Sequence, residues 1–219
     1  LFDATTVNMI WVGLLQTLYM TLVSTLIAYV FGIPMGVVLV VCDKEGIAPH
    51  PVLHKVIDVF VNITRSIPFL ILLIAVIPIT RFITGTTIGS NATIVPLVIA
   101  AAPFVARMVE SSLREVDKGI VEASVSMGAS PMQIITKVLL PEAKPSLIVG
   151  AAIAVTTILG YSAMAGIVGG GGLGDIAIRF GYYRYENAIM IVTVVLLVVV
   201  VQVFQEIGMK LAQKQDKRK

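Results

Sequence analysis

Ala4 to Cys42 reads ATTVNMIWVGLLQTLYMTLVSTLIAYVFGIPMGVVLVVC, 39 positions without one charged side chain. A helix crosses the hydrocarbon of a bilayer with about 20 residues. The run therefore holds a complete span and also a part that lies outside the hydrocarbon. Trp11 and Tyr19 suit interfacial positions, which puts the main span at about Leu15 to Val41. Inside it, Gly32-Ile33-Pro34-Met35-Gly36 has two readings: a small-xxx-small seam that lets helix backbones approach, or a proline kink eased by glycine. Both stay open on the sequence alone.

The rest of the chain has the same character. Of 219 residues, 57% are hydrophobic and 13% charged, with a mean hydropathy of +0.96, whereas a soluble domain carries roughly 25% charged residues. This composition is that of an integral, all-α membrane protein. The net charge of +3 does not indicate nucleic acid, because the basic residues occupy gaps between apolar runs instead of one stripe. Cys42 is the sole cysteine, so no intrachain disulfide forms. His50 and His54 are a loop pair flanked by Pro49 and Pro51, and no metal site is expected. The sequence opens at Leu1, so it is expected to lack its first residues. No charged segment precedes a short apolar core, so no cleaved signal peptide is expected.

Four further spans follow: about Val56 to Ile79, Ala92 to Val109, Ser146 to Val168 and Asn187 to Phe204. The expected fold is a single transmembrane domain over residues 1–219, with five helices and a polar segment, 110–145, between the third and fourth. The fourth span is rich in Gly, Ala and hydroxyl residues, which points to a face against protein or a pathway. Thr157, Tyr161, Ser162 and Met164 are its candidate translocation-path residues, with helix packing as the plainer alternative. Gly169-Gly170-Gly171-Gly172-Leu173-Gly174 contains a literal GxGxxG. It follows a membrane span instead of a strand, and Asp175 stands where a phosphate loop needs lysine, so no nucleotide site is expected. With five spans and the C-terminus inside, 13 of the 16 Lys and Arg residues are cytoplasmic, against Arg81, Arg179 and Arg184 outside. The positive-inside rule thus predicts the N-terminus outside and segment 110–145 in the cytoplasm.

That segment reads as two short helices joined by a turn. Gly128 suits the left-handed residue closing the first, and Ser130, Pro131 and Gln133 suit the N-cap, first residue and capping-box partner of the second. After the cap, Pro131, Ile135, Val138 and Leu139 are expected on one face, with Gln133, Thr136 and Lys137 on another. A cytoplasmic hairpin beside membrane spans, in a chain without a nucleotide site, points to a subunit driven by a separate protein.

Glu122-Ala123-Ser124, Gly128 after three residues, and Val138-Leu139-Leu140-Pro141 after nine more resemble the EAA loop of permease subunits in bacterial ATP-binding-cassette importers. The loop pattern has Ala and Ile where this chain has Ser124 and Val138. Arg65-Ser66-Ile67-Pro68-Phe69 with Ile77-Pro78, the stretch Val109 to Val116, and Gly169 through Tyr182 are similar to the methionine importer permeases. The resemblance implies a homodimer in the bacterial cytoplasmic (inner) membrane and in contact with its lipid. It also implies two ATPase subunits that bind ATP and Mg, and an extracytoplasmic substrate-binding protein. The chain itself would carry no cofactor and no catalytic residue. Glu122, Ala123, Ser124, Gly128, Ala129, Ser130, Pro131, Leu140 and Pro141 would be the ATPase-coupling residues. The imported substrate would be methionine, D or L, or alternatively another polar amino acid. An intramembrane enzyme would need an activated nucleophile or metal ligands in the spans, which offer scattered hydroxyls. A passive channel would not need a docking hairpin.

Overall fold

With no charge and no helix breaker except Pro34 between Ala4 and Val41, the first segment is one continuous 38-residue helix, α1. The computed structural model describes residues 3–215, which form helices and connecting turns with no strand. The helices are α1 (Ala4–Val41), α2 (Pro51–Ser66), α3 (Phe69–Ala75), α4 (Ile77–Thr84), α5 (Ser90–Arg114), α6 (Lys118–Ser126), α7 (Pro131–Ile134), α8 (Leu140–Glu142), α9 (Lys144–Ala165), α10 (Gly172–Ile176) and α11 (Asn187–Gln215). Two π-helical stretches, Ile135–Leu139 and Ala177–Tyr182, interrupt the α geometry.

Among the described residues, α1, α5, α9 with its short extension to Val168, and α11 are each long and apolar enough to cross a membrane. The expected second span is not one helix. It breaks at Ile67-Pro68 into α2 and α3, and the count reaches five only if that pair is taken as one span. The cause is local: Pro68 has no N–H to donate, sits in extended geometry (φ −55°, ψ 135°) and disfavours helix at the residue before it. Val76 then separates α3 from α4, in whose first turn Pro78 lies.

Contacts divide the chain into two units. The first comprises 1–27, 67–101 and 155–206, and the second 28–66, 102–154 and 207–219. In the second unit the close approach of α1 to α5 decides the reading of Gly32 and Gly36. A Cβ on Gly36 would lie 2.7 Å from the Ala106 carbonyl oxygen and 2.6 Å from Val109 Cβ, and one on Gly32 would lie 2.5 Å from Val105. These glycines are a packing seam, as small residues are where helices associate without water to drive them together. Beside the seam, Leu39, Val61 and Ala106 are fully buried, with Met35 and Ile57 packed against them, joining α1, α2 and α5. Gly208 meets Ala152 in the same way, joining α11 to α9.

In the first unit the glycine-rich run is a structural knot. The Gly172 N–H donates to Gln16 Oε1 and the Leu173 N–H to Thr17 Oγ1, both at 2.9 Å. Thr93 Oγ1 donates to the Gly170 carbonyl at 3.2 Å. A side chain at Gly174 would strike the Ala163 carbonyl oxygen at 2.3 Å. These N–H groups, which a phosphate would need, are spent on α1.

Candidate functional site

The segment between α5 and α9 is built from its caps. Asp117 accepts from the N–H groups of Gly119 (2.7 Å) and Ile120 (3.3 Å), starting α6. At its other end Gly128 adopts φ +77°. The Gly128 N–H returns to the Val125 carbonyl at 2.9 Å and the Ala129 N–H to that of Ser124 at 3.1 Å. This pair of bonds is a Schellman closure, which needs a left-handed residue at Gly128. Ser130 then opens α7 with a full capping box: its N–H donates to Gln133 Oε1 at 2.8 Å, and its hydroxyl accepts from the Gln133 N–H at 3.4 Å. Four residues, 127–130, thus join two helices with almost every turn bond assigned.

α7 runs into the π stretch Ile135–Leu139 and on into α8. Pro141 offers no N–H, and its ring crowds the carbonyl four residues back. The Leu140 N–H instead reaches the Ile135 carbonyl, five residues back, which widens the turn. That spacing brings Ile134 and Leu139 to one buried face. The expected face of Pro131, Ile135, Val138 and Leu139 is therefore rotated: Leu139 is buried, Ile135 and Val138 are half-buried, and Pro131 is exposed.

The expected coupling residues divide by exposure. Glu122, Ala123, Gly128, Ser130, Pro131 and Pro141 are exposed, while Ala129 and Leu140 are half-buried. Ser124 is buried and donates to the Ile120 carbonyl at 2.8 Å, so it serves the helix rather than the surface. A Cβ on Gly128 would meet nothing within 4 Å, which makes the glycine a requirement of the backbone alone. The tip carries two apolar side chains that the motif did not single out, Met127 at 79% and Met132 at 66% exposure. Unbranched, polarizable methionines on a surface suit an adaptable contact.

A chain of charges stands at the base of this hairpin. Glu110 on α5 accepts from Arg107 at 2.5 Å and from Arg114 at 3.1 Å. Arg107 also pairs closely with Asp58 of α2 and donates to Asn62 Oδ1 at 2.7 Å. Arg114 reaches Asp43, just past α1, at 2.8 Å. That guanidinium, helped by the Lys44 N–H, holds the Asp43 carboxyl below the usual carboxylate range. Two arginines and three carboxylates thereby tie the end of α1 and the middle of α2 to the last turns of α5. The i, i+3, i+7 spacing of Arg107, Glu110 and Arg114 is the sequence signal that could have revealed the axis of this network. On the α9 side, Ser146 donates to Ser112 Oγ of α5 at 3.0 Å. Alongside α6 lies a cleft of about 960 Å³ whose walls include Val40, Leu113, Val121 and Leu139, with Asp43, Arg114 and Glu122 at its margin.

The four candidate path residues on α9 do not share one face. Thr157 is half-buried and Met164 is about half exposed, in a stripe with Gly160 and Ile167 at helical spacing. Tyr161 borders that stripe and stacks on Phe69 of α3, with ring centres 4.4 Å apart and planes within 6°. Ser162 lies on the opposite side, buried, donating to the Leu159 carbonyl at 2.7 Å.

Residues 28–208 match the family described as binding-protein-dependent transport system inner membrane component. The chain belongs to that family. Membership makes it a transport component of the inner membrane and not an enzyme. Among the relatives of this inner-membrane component is a Vibrio cholerae protein named "Probable D-methionine transport system permease protein MetI". It is 53% identical over 203 residues, spanning 93% of this chain and 90% of that protein. The D-methionine transport system permease protein MetI of Escherichia coli K12 is 52% identical over 161 residues, 72% of this chain and 74% of that one. A solved structure of the MetNI methionine ABC transporter in an inward-facing conformation superposes with a TM-score of 0.96 at 46% identity, covering 99% of this chain and 100% of the other. An amino acid ABC transporter solved with histidines shares the fold at a TM-score of 0.79 and 19% identity.

Proposed function

We propose that this chain is the permease subunit of an ATP-driven importer whose substrate is methionine. The observation that carries the reading is the likeness to the solved methionine transporter over nearly the whole of both chains, at 46% identity. In this reading the chain crosses the membrane five times, with α2 and α3 as a broken second span. The N-terminus is outside and the C-terminus in the cytoplasm. The orientation rests on the distribution of Lys and Arg; Lys217, Arg218 and Lys219, which contribute to that count, lie outside the described residues.

Two copies of the permease pair with two ATPase subunits, which bind ATP and Mg, and with a binding protein on the outer side. The hairpin around Gly128 is the coupling element. Glu122, Ala123 and the methionine tip present an exposed surface to a groove of the ATPase, while Ser124, Leu140 and Pro141 set the helix geometry behind it. ATPase closure displaces the hairpin, and the displacement passes into α5 and α9, which flank it in the chain. The charge network at the foot of α5 gives that displacement a stiff base. Thr157, Tyr161, Ser162 and Met164 are assigned to the path, the first two and Met164 by their place on or beside the open stripe of α9 and Ser162 by its place behind it.

The test is reconstitution of the chain with its ATPase and binding protein in vesicles. ATP-dependent uptake of labelled methionine supports the proposal. Uptake of another polar amino acid in its place overturns the substrate, and ATP-independent flux overturns the mechanism.

A further inference from the structure

In the first unit, the turn between the π stretch Ala177–Tyr182 and α11 gathers cations and aromatic rings on one small surface. The Phe180 ring carries two guanidinium groups, Arg184 Cζ at 4.6 Å from its centre and Arg179 Cζ at 5.8 Å. Two like charges this close to one ring need compensation. Arg179 has it, donating to the buried Asp175 carboxylate at 2.6 Å. No carboxylate among the described residues forms an ion pair with Arg184, which is exposed and keeps donors for an incoming anion. Tyr182, Tyr183 and Tyr185 neighbour it in the chain, all exposed, Tyr185 at 84%.

The arrangement is held in place by the backbone. The Glu186 N–H donates to the Phe180 carbonyl at 3.1 Å, and the Tyr183 N–H to that of Ile178 at 3.0 Å. Gly181 packs directly on Met190, where a Cβ would come within 2.8 Å. Tyr185 is the one non-glycine residue with a left-handed backbone among those described, φ +58°. After Glu186, α11 begins, with Ile191, Val194, Val195 and Val198 exposed along an apolar helix. Tyrosines and a basic side chain at the entrance to an outward-facing apolar helix occupy the level of lipid headgroups.

We propose that Arg184, braced on Phe180 and flanked in the chain by the exposed Tyr182, Tyr183 and Tyr185, binds the headgroup phosphate of an anionic phospholipid. The guanidinium supplies paired N–H donors to the phosphate oxygens, and the phenols supply further donors at the same depth. The lipid chains then lie along the exposed face of α11. The unpaired cation makes the site selective for an anionic over a zwitterionic headgroup, whose own ammonium would face Arg184.

The experiment titrates the purified full-length chain in detergent with phosphatidylglycerol or phosphatidylcholine, counting retained lipid by native mass spectrometry. Phosphatidylglycerol is expected to be retained preferentially, and Arg184→Gln to weaken its binding about fivefold, with phosphatidylcholine unaffected. Arg81→Gln, which removes an exposed cation elsewhere on the chain, is expected to leave retention unchanged. Because Arg184 is exposed, a thermal melt equal to wild type accompanies the loss. Equal phosphatidylglycerol binding by wild type and Arg184→Gln overturns the proposal, as does an equal loss in Arg81→Gln, which would mark diffuse charge. Inorganic phosphate competing at the same concentration as the lipid would make this a free-anion site. Loss of affinity for the extracytoplasmic binding protein without loss of lipid would make it a protein-docking surface.

Discussion

Gly128 has room for a side chain and no backbone freedom to accept one. Its φ of +77° costs an L-residue about 1–2 kcal/mol, and the cost falls on the turn that orients α6 against α7. Gly128→Leu is therefore expected to insert and assemble normally while lowering methionine transported per ATP hydrolysed, measured in vesicles. Gly128→Asn, which tolerates the left-handed region, is expected to retain most of the coupling. Wild-type ratios in Gly128→Leu would remove the turn from the mechanism. Gly36 presents the opposite constraint, with ordinary helix geometry and no room. Its Cβ would lie 2.7 Å from a carbonyl oxygen of α5, so Gly36→Ala is expected to cost about 1–3 kcal/mol and to lower the melting temperature. Asp43 adds a dependence on pH. Its carboxyl titrates below the usual range because Arg114 favours the charged form, so the pair stabilises the protein at neutral pH and is lost as pH falls through the lowered value. The pair is partly exposed and is worth about 0.5 kcal/mol. Thermal melts of wild type and Asp43→Asn are expected to differ at pH 7 and to converge in acid.

At the scale of elements, the hairpin is legible in the sequence because caps are local. Gly128, Ser130, Pro131 and Gln133 lie within six positions of one another, and each acts through its own backbone or a neighbour's. The buried face of α7 was not legible in the same way. Pro141 turns the preceding stretch, Ile135–Leu139, into a π-helix, and across it a period near 3.6 no longer predicts which side chains share a face with Ile134. The charge network was hidden for another reason: Asp43, Asp58 and Arg107 are far apart in sequence and meet only once α1, α2 and α5 pack. Glu110 holds both arginines, so Glu110→Gln is expected to destabilise by about 2–3 kcal/mol, more than Asp43→Asn. It is also expected to lower the ratio of transport to hydrolysis, since the base of the hairpin loosens. Unchanged coupling at equal melting temperature would restrict the network to stability.

For the whole molecule, the division of labour has a direct test. The purified chain alone is expected to hydrolyse no ATP, and the complex with its ATPase and binding protein to do so with methionine uptake. In the glycine-rich run the N–H groups of Gly172 and Leu173 are already bonded to Gln16 and Thr17, so they are not free to cradle a phosphate. Turnover by the chain free of contaminating ATPase would overturn this assignment.

By itself the amino-acid sequence determined the class of the protein, the apolar helices and the capped hairpin between α5 and α9. Hydropathy and capping act over a few residues and need no fold to be read. Tertiary structure decided that Gly32 and Gly36 form a seam, that Gly169 to Gly174 tie α1, α5 and α9 together, that the second apolar run breaks at Pro68, and that five charges meet at the foot of α5. The first, second and fourth depend on distances between segments remote in sequence. The break at Pro68 was signalled by a proline that many membrane helices absorb, and the backbone there took the extended form instead.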